Sequence, residues 1–469
     1  MLSRDSLLMD LSLLETALTE MHPGLYRYAS EKEVSQWFKS LRDSLPETIW
    51  EGEFFARLAQ TIAKVRCGHT YLNPWNLTRS VRLRLFGGKT FFPIGFEIID
   101  GKFYTTENAS LNTDIKRAAE ILKINDVPIT EIYAKLKTIA KTDGNNFAAV
   151  DHYLSLWNYE ASTWQAFDLY LQLFYPLKND TFEVTYQNFG TSETKIAKVK
   201  AQTKQERAEK MITKYGKAIT EKELWKIEHF TSGTSIMRLG TFATWKWKGF
   251  NAEKWFETAF KELDSLKVSK LVVDLRGNGG GLAIHRSQLA SYLVKDTLRC
   301  DKIGKVYIKI TKFNTELLPY IETYVELLKA GLPEDLYSPS DNGLYEFFEP
   351  DVCSDIPPRP NGYKGEVFIL GNASNVSATF TLLDHANRFG YGTFVGQTTG
   401  GNRQGINGGE YAFFTMPYSK IEVDIPLKYF SSFTPQKDEG VQPKIPVKVT
   451  QKDIAVQNDP YLAKVKMMQ

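Results

Sequence analysis

Lys270-Leu-Val-Val-Asp-Leu-Arg-Gly-Asn-Gly-Gly-Gly281 reads as a buried strand running into a turn with glycine at four of its last five positions. Glycines permit positive φ and close backbone approach, so successive N–H groups there can converge on a negative oxygen. Taken alone, the stretch is equally a glycine-rich turn that closes a core strand. A second segment shifts the balance. The buried strand Val367 to Leu370 leads into Gly371-Asn-Ala-Ser-Asn-Val-Ser377-Ala-Thr-Phe380, where a helix begins. Serine at a helix start is ordinarily an N-cap. A nucleophile at the same place would have the Ala378 N–H and the positive helix end aimed at its developing oxyanion.

Strand and helix alternate outward from these two segments. Ser235 to Phe242 precedes a helix carrying Trp255, Phe256, Phe260, Leu263 and Leu266, then comes the Lys270 strand. Glu366 to Leu370 precedes the helix Ala378 to Phe389, and the strand Thr393 to Gly396 follows. This alternation predicts an α/β core with a largely parallel sheet over 234–448. Residues 1 to about 66 read as helices, with Leu7, Leu11, Leu14 and Leu18 on one face and breaks at Pro23-Gly24 and Pro46. Phe91–Ile99 and Lys102–Thr106 predict a hairpin turning at Asp100-Gly101, then a short helix, then a buried strand Ile121–Asn125. Residues 131–180 are mixed and rich in Tyr, Trp and Leu. Residues 196–228 read as an exposed helical connector.

Bulk properties narrow the function. At 469 residues, two to four structural units are expected. With 42% apolar and 24% charged residues, the composition is that of a soluble globular protein. Lys and Arg number 58 against 55 Asp and Glu, which leaves no basic field for nucleic acid. Cys67, Cys300 and Cys353 form neither a zinc pattern nor a disulfide framework, and one bridge with a cysteine left over stays open. No run approaches the ~18 apolar residues that span a bilayer. The first residues lack a basic start and a small-residue cleavage site, so either a cytoplasmic protein or a mature exported one fits. Gly87-Gly88-Lys89-Thr90 fails as a phosphate loop because position 83 is Leu83, and Gly277-Asn278-Gly279 fails as a dinucleotide fingerprint at Leu282. The six histidines show no metal spacing. No metal or organic cofactor is expected.

Asp274-Leu-Arg-Gly-Asn-Gly-Gly-Gly281, the Asn372-to-Ala378 stretch and Phe394-Val-Gly-Gln-Thr-Thr-Gly400 resemble, in order and spacing, the C-terminal processing (tail-specific) and tricorn-like serine peptidases. Ile236–Phe242 and Gly440–Pro446 resemble that family's opening strand and closing segment. The resemblance implies a ClpP/crotonase-like spiral ββα catalytic core, no cofactor, a peptide or protein substrate and export to a bacterial envelope. Pro93–Phe96 and Ala119–Ile129 resemble, more faintly, the carboxylate-binding loop and a later strand of a PDZ domain. In full the expectation is α/β: a helical region over 1–80, a degenerate PDZ-like β-rich domain over 81–145, a mixed connector over 146–230, the peptidase core over 231–450 and a tail over 451–469.

Within that resemblance Ser377 is the nucleophile, and Ala378 with Gly279 or Gly280 supplies the oxyanion hole. The processing branch uses a lysine just after the Val-Gly segment, where this chain has Thr398. The tricorn-like branch uses a histidine, and Cys67-Gly-His69-Thr70 offers one. An imidazole titrating near ~6.5 suits general base work. His385 is about 12 Å along the helix from Ser377, too far to serve. His285 follows the glycine loop but has no family counterpart. That branch has a serine before the histidine, where this chain has Gly68. Glu439 stands where the family's glutamate is expected, to reach His69 through Thr70, through water or directly. The reading is an acyl-enzyme serine peptidase, and its rival is a binding protein on the same fold that holds peptides or apolar ligands without turnover.

Overall fold

Three amphipathic helices open the chain, Arg4–Met21, Glu31–Asp43 and Glu51–Ala63. The expected leucine face is fully buried: Leu7, Leu11, Leu14 and Leu18 are each 0% exposed. Ser30 and Glu33 close a reciprocal capping box on the second helix, which satisfies two otherwise orphan backbone groups. The first helix is pinned to the C-terminal half through Asp10. Its buried carboxylate accepts the backbone N–H groups of Tyr418 at 2.9 Å and Ser419 at 2.8 Å. The computed structural model describes residues 1–157, 164–216, 221–230, 232–299, 304–348 and 354–467. Cys300 and Cys353 lie outside the described residues, and Cys67 is a buried free thiol. No helix among the described residues is long and apolar enough to cross a membrane.

The β-rich domain is an antiparallel sheet in the order Ile94–Ile99, Lys102–Asn108, Glu120–Ile124, Thr181–Gln187, Thr194–Lys200. Asp100 and Gly101 make the expected two-residue turn, with φ of 53° and 76°. Two expectations give way. The segment between the second and third strands holds no helix, because the Asn108 side chain ties it into turns by donating to the Asn112 carbonyl and accepting from Ser110. The connector expected over 146–230 supplies the last two strands of this sheet, then a helix Lys204–Tyr215 and a strand Trp225–His229. The strand Ile94–Ile99, which overlaps the segment resembling a carboxylate-binding loop, is covered. Phe96 exchanges both backbone hydrogen bonds with Leu156, and the Ile98 N–H donates to Ser155 Oγ.

The C-terminal half is built on a six-stranded sheet in the order 445–446, 393–396, 366–371, 270–274, 234–239, 225–229. All neighbouring pairs are parallel except the edge strand Trp225–His229. Helices Ala252–Ser265 and Ser377–Phe389 connect successive strands, as the alternation required. The central strands Lys270–Asp274 and Glu366–Gly371 lie side by side, with Asp274 opposite Leu370. The glycine loop and the Ser377 loop therefore leave the same edge of the sheet, at the carboxyl ends of adjacent parallel strands, where α/β sheets characteristically form crevices. A second, antiparallel sheet contains the long hairpin Gly405–Thr415 and Glu422–Ser432, and its residues join the apolar core of the N-terminal helices.

Candidate active site

Ser377 is the first residue of its helix, not the cap. The N-cap is Val376, which makes no side-chain cap bond, so the ordinary capping explanation for this serine fails. Ser377 instead has φ of +53°, a conformation a non-glycine residue holds at a cost of about 1–3 kcal/mol. Such strain at a strand-to-helix turn presents a side chain outward. No hydrogen bond engages Ser377 Oγ among the described residues. Ser374, three residues earlier, is committed: its hydroxyl accepts from the Gly277 N–H at 2.9 Å and donates to Asn372 Oδ1.

Two asparagines stitch the loops together. Asn375 Nδ2 donates to the carbonyls of Leu275 at 2.6 Å and Asn278 at 3.0 Å, while its Oδ1 accepts the Asn372 N–H. Asn278, fully buried, donates to the Leu239 carbonyl and accepts from Thr379 Oγ1 at 2.8 Å. Its Oδ1 also accepts the Gly280 N–H at 2.9 Å. That bond corrects one expectation: Gly280 is not an oxyanion donor, because its N–H is already engaged. Gly280 has a packing role instead. At its φ of +101° an added Cβ would lie 2.7 Å from Ser377 Cβ. Gly279 is exposed, an added Cβ there meets nothing within 4 Å, and its N–H has no acceptor among the described residues. Ala378 is at the second helical position, where N–H groups have no intrahelical partner.

His69 lies in the other half of the chain and packs against the hairpin strand Gly405–Thr415. Its ring lies beside Gly408, whose added Cβ would be 3.4 Å from Nε2, and 6.3 Å from the Tyr411 ring centroid. Burial, helped by the Lys141 cation, pushes the imidazole down to about 3, so it is neutral at ordinary pH. Nδ1 is buried without a hydrogen-bond partner. No hydrogen bond joins His69 to Ser377 in this structure. In free enzymes such bonds are often long and tighten on substrate, so the gap does not exclude a base. Glu439 is not placed on His69: its carboxylate faces Arg403 Nη1 at 3.7 Å. Two other histidines weighed for the base are held elsewhere. His285 bonds Thr244 Oγ1 at 2.7 Å against Trp225, and His385 is 2% exposed inside the nucleophile helix packing.

Several contributors escaped the sequence reading. Next to His69, His22 accepts the Gly24 N–H at Nδ1, so its Nε2–H donates to Thr70 Oγ1 at 2.9 Å. Asp143, 4% exposed, accepts the Gly68 N–H at 2.9 Å. Residues 71–76 lie along the strand Glu422–Ser432 through Asp424 N–H to the Tyr71 carbonyl and Asn73 N–H to the Glu422 carbonyl. Only the Asp143-Gly144 pair carried a local signal, that of a turn.

Residues 233–447 match peptidase family S41. No curated protein matches the chain. Among solved structures, a point mutant of CPAF aligns with a TM-score of 0.67 at 16% identity, covering 99% of this chain and 96% of that one. Mature CPAF complexed with lactacystin aligns with a TM-score of 0.64 at 16% identity, covering 99% and 98%. At such identity these likenesses speak to the fold, which extends over the whole chain, while the family match falls on the region holding both loops. The region that holds both loops is thus similar to peptidase family S41, and the activity this likeness supports is that of a serine peptidase.

Proposed function

We propose that the protein hydrolyses peptide bonds through an acyl-enzyme on Ser377, with His69 as general base and the N–H groups of Ala378 and Gly279 as the oxyanion hole. The observation that carries this reading is the strained, uncommitted Ser377 at the first turn of its helix, backed by a glycine that leaves no room for anything else. Serine is a poor nucleophile until a base takes its proton. A neutral imidazole is ready for that task, and the two free backbone donors suit the charge that develops on the carbonyl oxygen. As Oγ attacks, its proton passes to His69, and the imidazolium returns it to the leaving amine. Water then repeats the sequence to release the acid product.

Capture of a substrate tail by strand addition at Ile94–Ile99 is disfavoured, because Leu156 and Ser155 already bond that edge. Cleavage within extended segments fits better than tail-directed cleavage. A fluorophosphonate probe tests the core of the reading. Stoichiometric labelling at Ser377, located by mass spectrometry of the digested protein, is expected. A probe that leaves Ser377 unmodified at high concentration would favour a ligand-binding protein on this fold.

A further inference from the structure

His69 and Ser377 belong to segments about three hundred residues apart, yet a general base must be held to within a fraction of an ångström of its nucleophile. The residues 143–146 connect the two. On one side, Asp143 Oδ1 accepts the N–H of Gly68, the residue before His69, at 2.9 Å. The same carboxylate fills the space a side chain at position 68 would need, since an added Cβ would be 2.9 Å from Asp143 Oδ2. Gly144 reinforces the contact by donating its N–H to the Arg66 carbonyl at 2.9 Å. On the other side, Asn146 Nδ2 donates to the carbonyls of Thr399 at 2.8 Å and Gly401 at 2.6 Å. Between those two, the Gly400 N–H donates to the carbonyl of Asn375, the residue that joins the glycine loop to the Ser377 loop. Asn402 Nδ2 closes the circuit on the Asp143 carbonyl at 3.0 Å.

We propose that Asp143 is a positioning residue for the base: its carboxylate fixes the Gly68–His69 peptide, and the turn Asp143–Asn146 sets that peptide against the nucleophile loop. The inference rests on His69 being the base. The hold depends on ionisation, because a carboxylate accepts from a backbone N–H more strongly than a carboxylic acid does. Burial pushes the Asp143 carboxyl up to about 6, opposed by the Gly68 N–H and by the Arg27 and Lys141 cations. The other ionisable groups facing it are Tyr28, packed against Gly144, and the Cys67 thiol; both are neutral at ordinary pH, burial having pushed Tyr28 well up and Cys67 up to about 11. Asp438, held by Asn145 and Asn402 on the far side of the turn, stays ionised. Since the imidazole of His69 is pushed down to about 3, the group that titrates near neutrality in direct contact with the Gly68–His69 peptide is Asp143. Reactivity of Ser377 is therefore full above about pH 6 and falls as protonation of Asp143 loosens the hold.

The rate of Ser377 modification by a fluorophosphonate probe, measured from pH 5 to 8, reads this without knowledge of the natural substrate. The wild type is expected to show an acid limb near pH 6. Asp143→Asn, which keeps an acceptor oxygen but cannot ionise, should lose that limb and label a few-fold more slowly at pH 8. Gly68→Ala, which pushes the carboxylate off its bond from the opposite side, should slow labelling by about 10- to 100-fold with the probe's affinity unchanged. A merely structural role would slow labelling and lower Tm together without moving the limb. An Asp143→Asn protein with the wild-type limb, or a Gly68→Ala protein labelling at the wild-type rate, overturns the inference. His69→Ala separates the two levels: labelling at the wild-type rate there sinks the base itself, whereas a dead His69→Ala beside an unaltered Asp143→Asn sinks only the role of Asp143.

Discussion

The proposed nucleophile Ser377 and the proposed base His69 sit in regions built on different principles. The Ser377 loop and the glycine loop are the ends of two adjacent strands of one parallel sheet, paired from Lys270–Glu366 to Asp274–Leu370. Their mutual position follows from strand register and is locked by the side chains of Asn278, Ser374 and Asn375 over a few ångströms. His69 has no such frame. It is placed by contacts reaching forward to Asp143, Gly408 and the strand Glu422–Ser432, and back to His22 through Thr70. The oxyanion half is set by local geometry, and the proton-transfer half by long-range assembly. The first should fail by sharp steric or chemical insult, and the second by loosening.

The largest effect belongs to the local half. Ser377→Ala should reduce peptidase activity by about 10⁴-fold or more, as removal of a serine nucleophile does elsewhere. Because Ser377 Oγ makes no cap bond, and alanine carries the same backbone strain, the melt should be nearly unchanged. Near-wild-type turnover in this variant would remove Ser377 from the reaction, and Ser374 could not replace it, being bonded on both sides.

Gly280→Ala comes next. Alanine at φ of +101°, with its Cβ directed 2.7 Å from Ser377 Cβ, must displace the serine or the loop. Moving the nucleophile off its donors is expected to lower kcat by roughly 10²- to 10³-fold, comparable with loss of one oxyanion donor. Gly279→Ala is the control, since a methyl group there meets open space, and it should stay within about 10-fold of wild type. If the two alanine variants behave alike, the close packing of Gly280 on Ser377 is not what sets the nucleophile.

A smaller effect is expected at Glu439. With its carboxylate beside Arg403 and none on His69 Nδ1, Glu439→Gln should change kcat by less than about 10-fold. A loss approaching that of His69→Ala would show that the loop Asp438–Gly440 moves to the imidazole during turnover, and would make the base as local as the nucleophile.

This contrast also explains what the sequence disclosed. The parallel sheet, the leucine face of the first helix and the Asp100-Gly101 hairpin are written in short periodicities and turn residues, and each forms as expected. That Ser377, Ala378 and the glycine loop come together was legible because all stand at strand ends within one supersecondary unit. Gly280 was misassigned because whether an N–H is free depends on where the Asn278 side chain turns, which no spacing reports. Asp143, Asn146 and His22 were missed because their partners lie between 48 and 255 residues away. The strands at Thr181–Gln187 and Thr194–Lys200 were taken for connector because alternating polar residues on an exposed sheet face resemble a solvated helix in composition. Glu439 was placed by analogy with a family, and Arg403 competes for it here.

The smallest effect sharpens the long-range half, and it is one of stability. Glu422 and Asp424, 3% and 4% exposed, stand on the strand that carries residues 71–76, where Asn76 donates to Glu422 at 2.6 Å and Asn73 to both oxygens of Asp424. Burial, with the neighbouring Asp424 and Glu322 carboxylates adding to it, pushes Glu422 up to about 7. Its folded value is thus above its unfolded one, so the stability it contributes is fully present below about pH 4.5 and is lost as pH rises through 7. Glutamine keeps the oxygen that Asn76 needs and cannot ionise. Glu422→Gln should therefore match the wild type at pH 5 and exceed its stability at pH 8 by about 1–2 kcal/mol, visible as a higher Tm at the alkaline pH only. A variant less stable at pH 8 would mean that the charged carboxylate is the native form. The same protein bears on the base: if the acid limb near pH 6 persists in Glu422→Gln, the limb does not belong to Glu422, and if it also persists in Asp424→Asn, whose carboxyl burial pushes up to about 6, Asp143 is left as the group beside His69 that sets it.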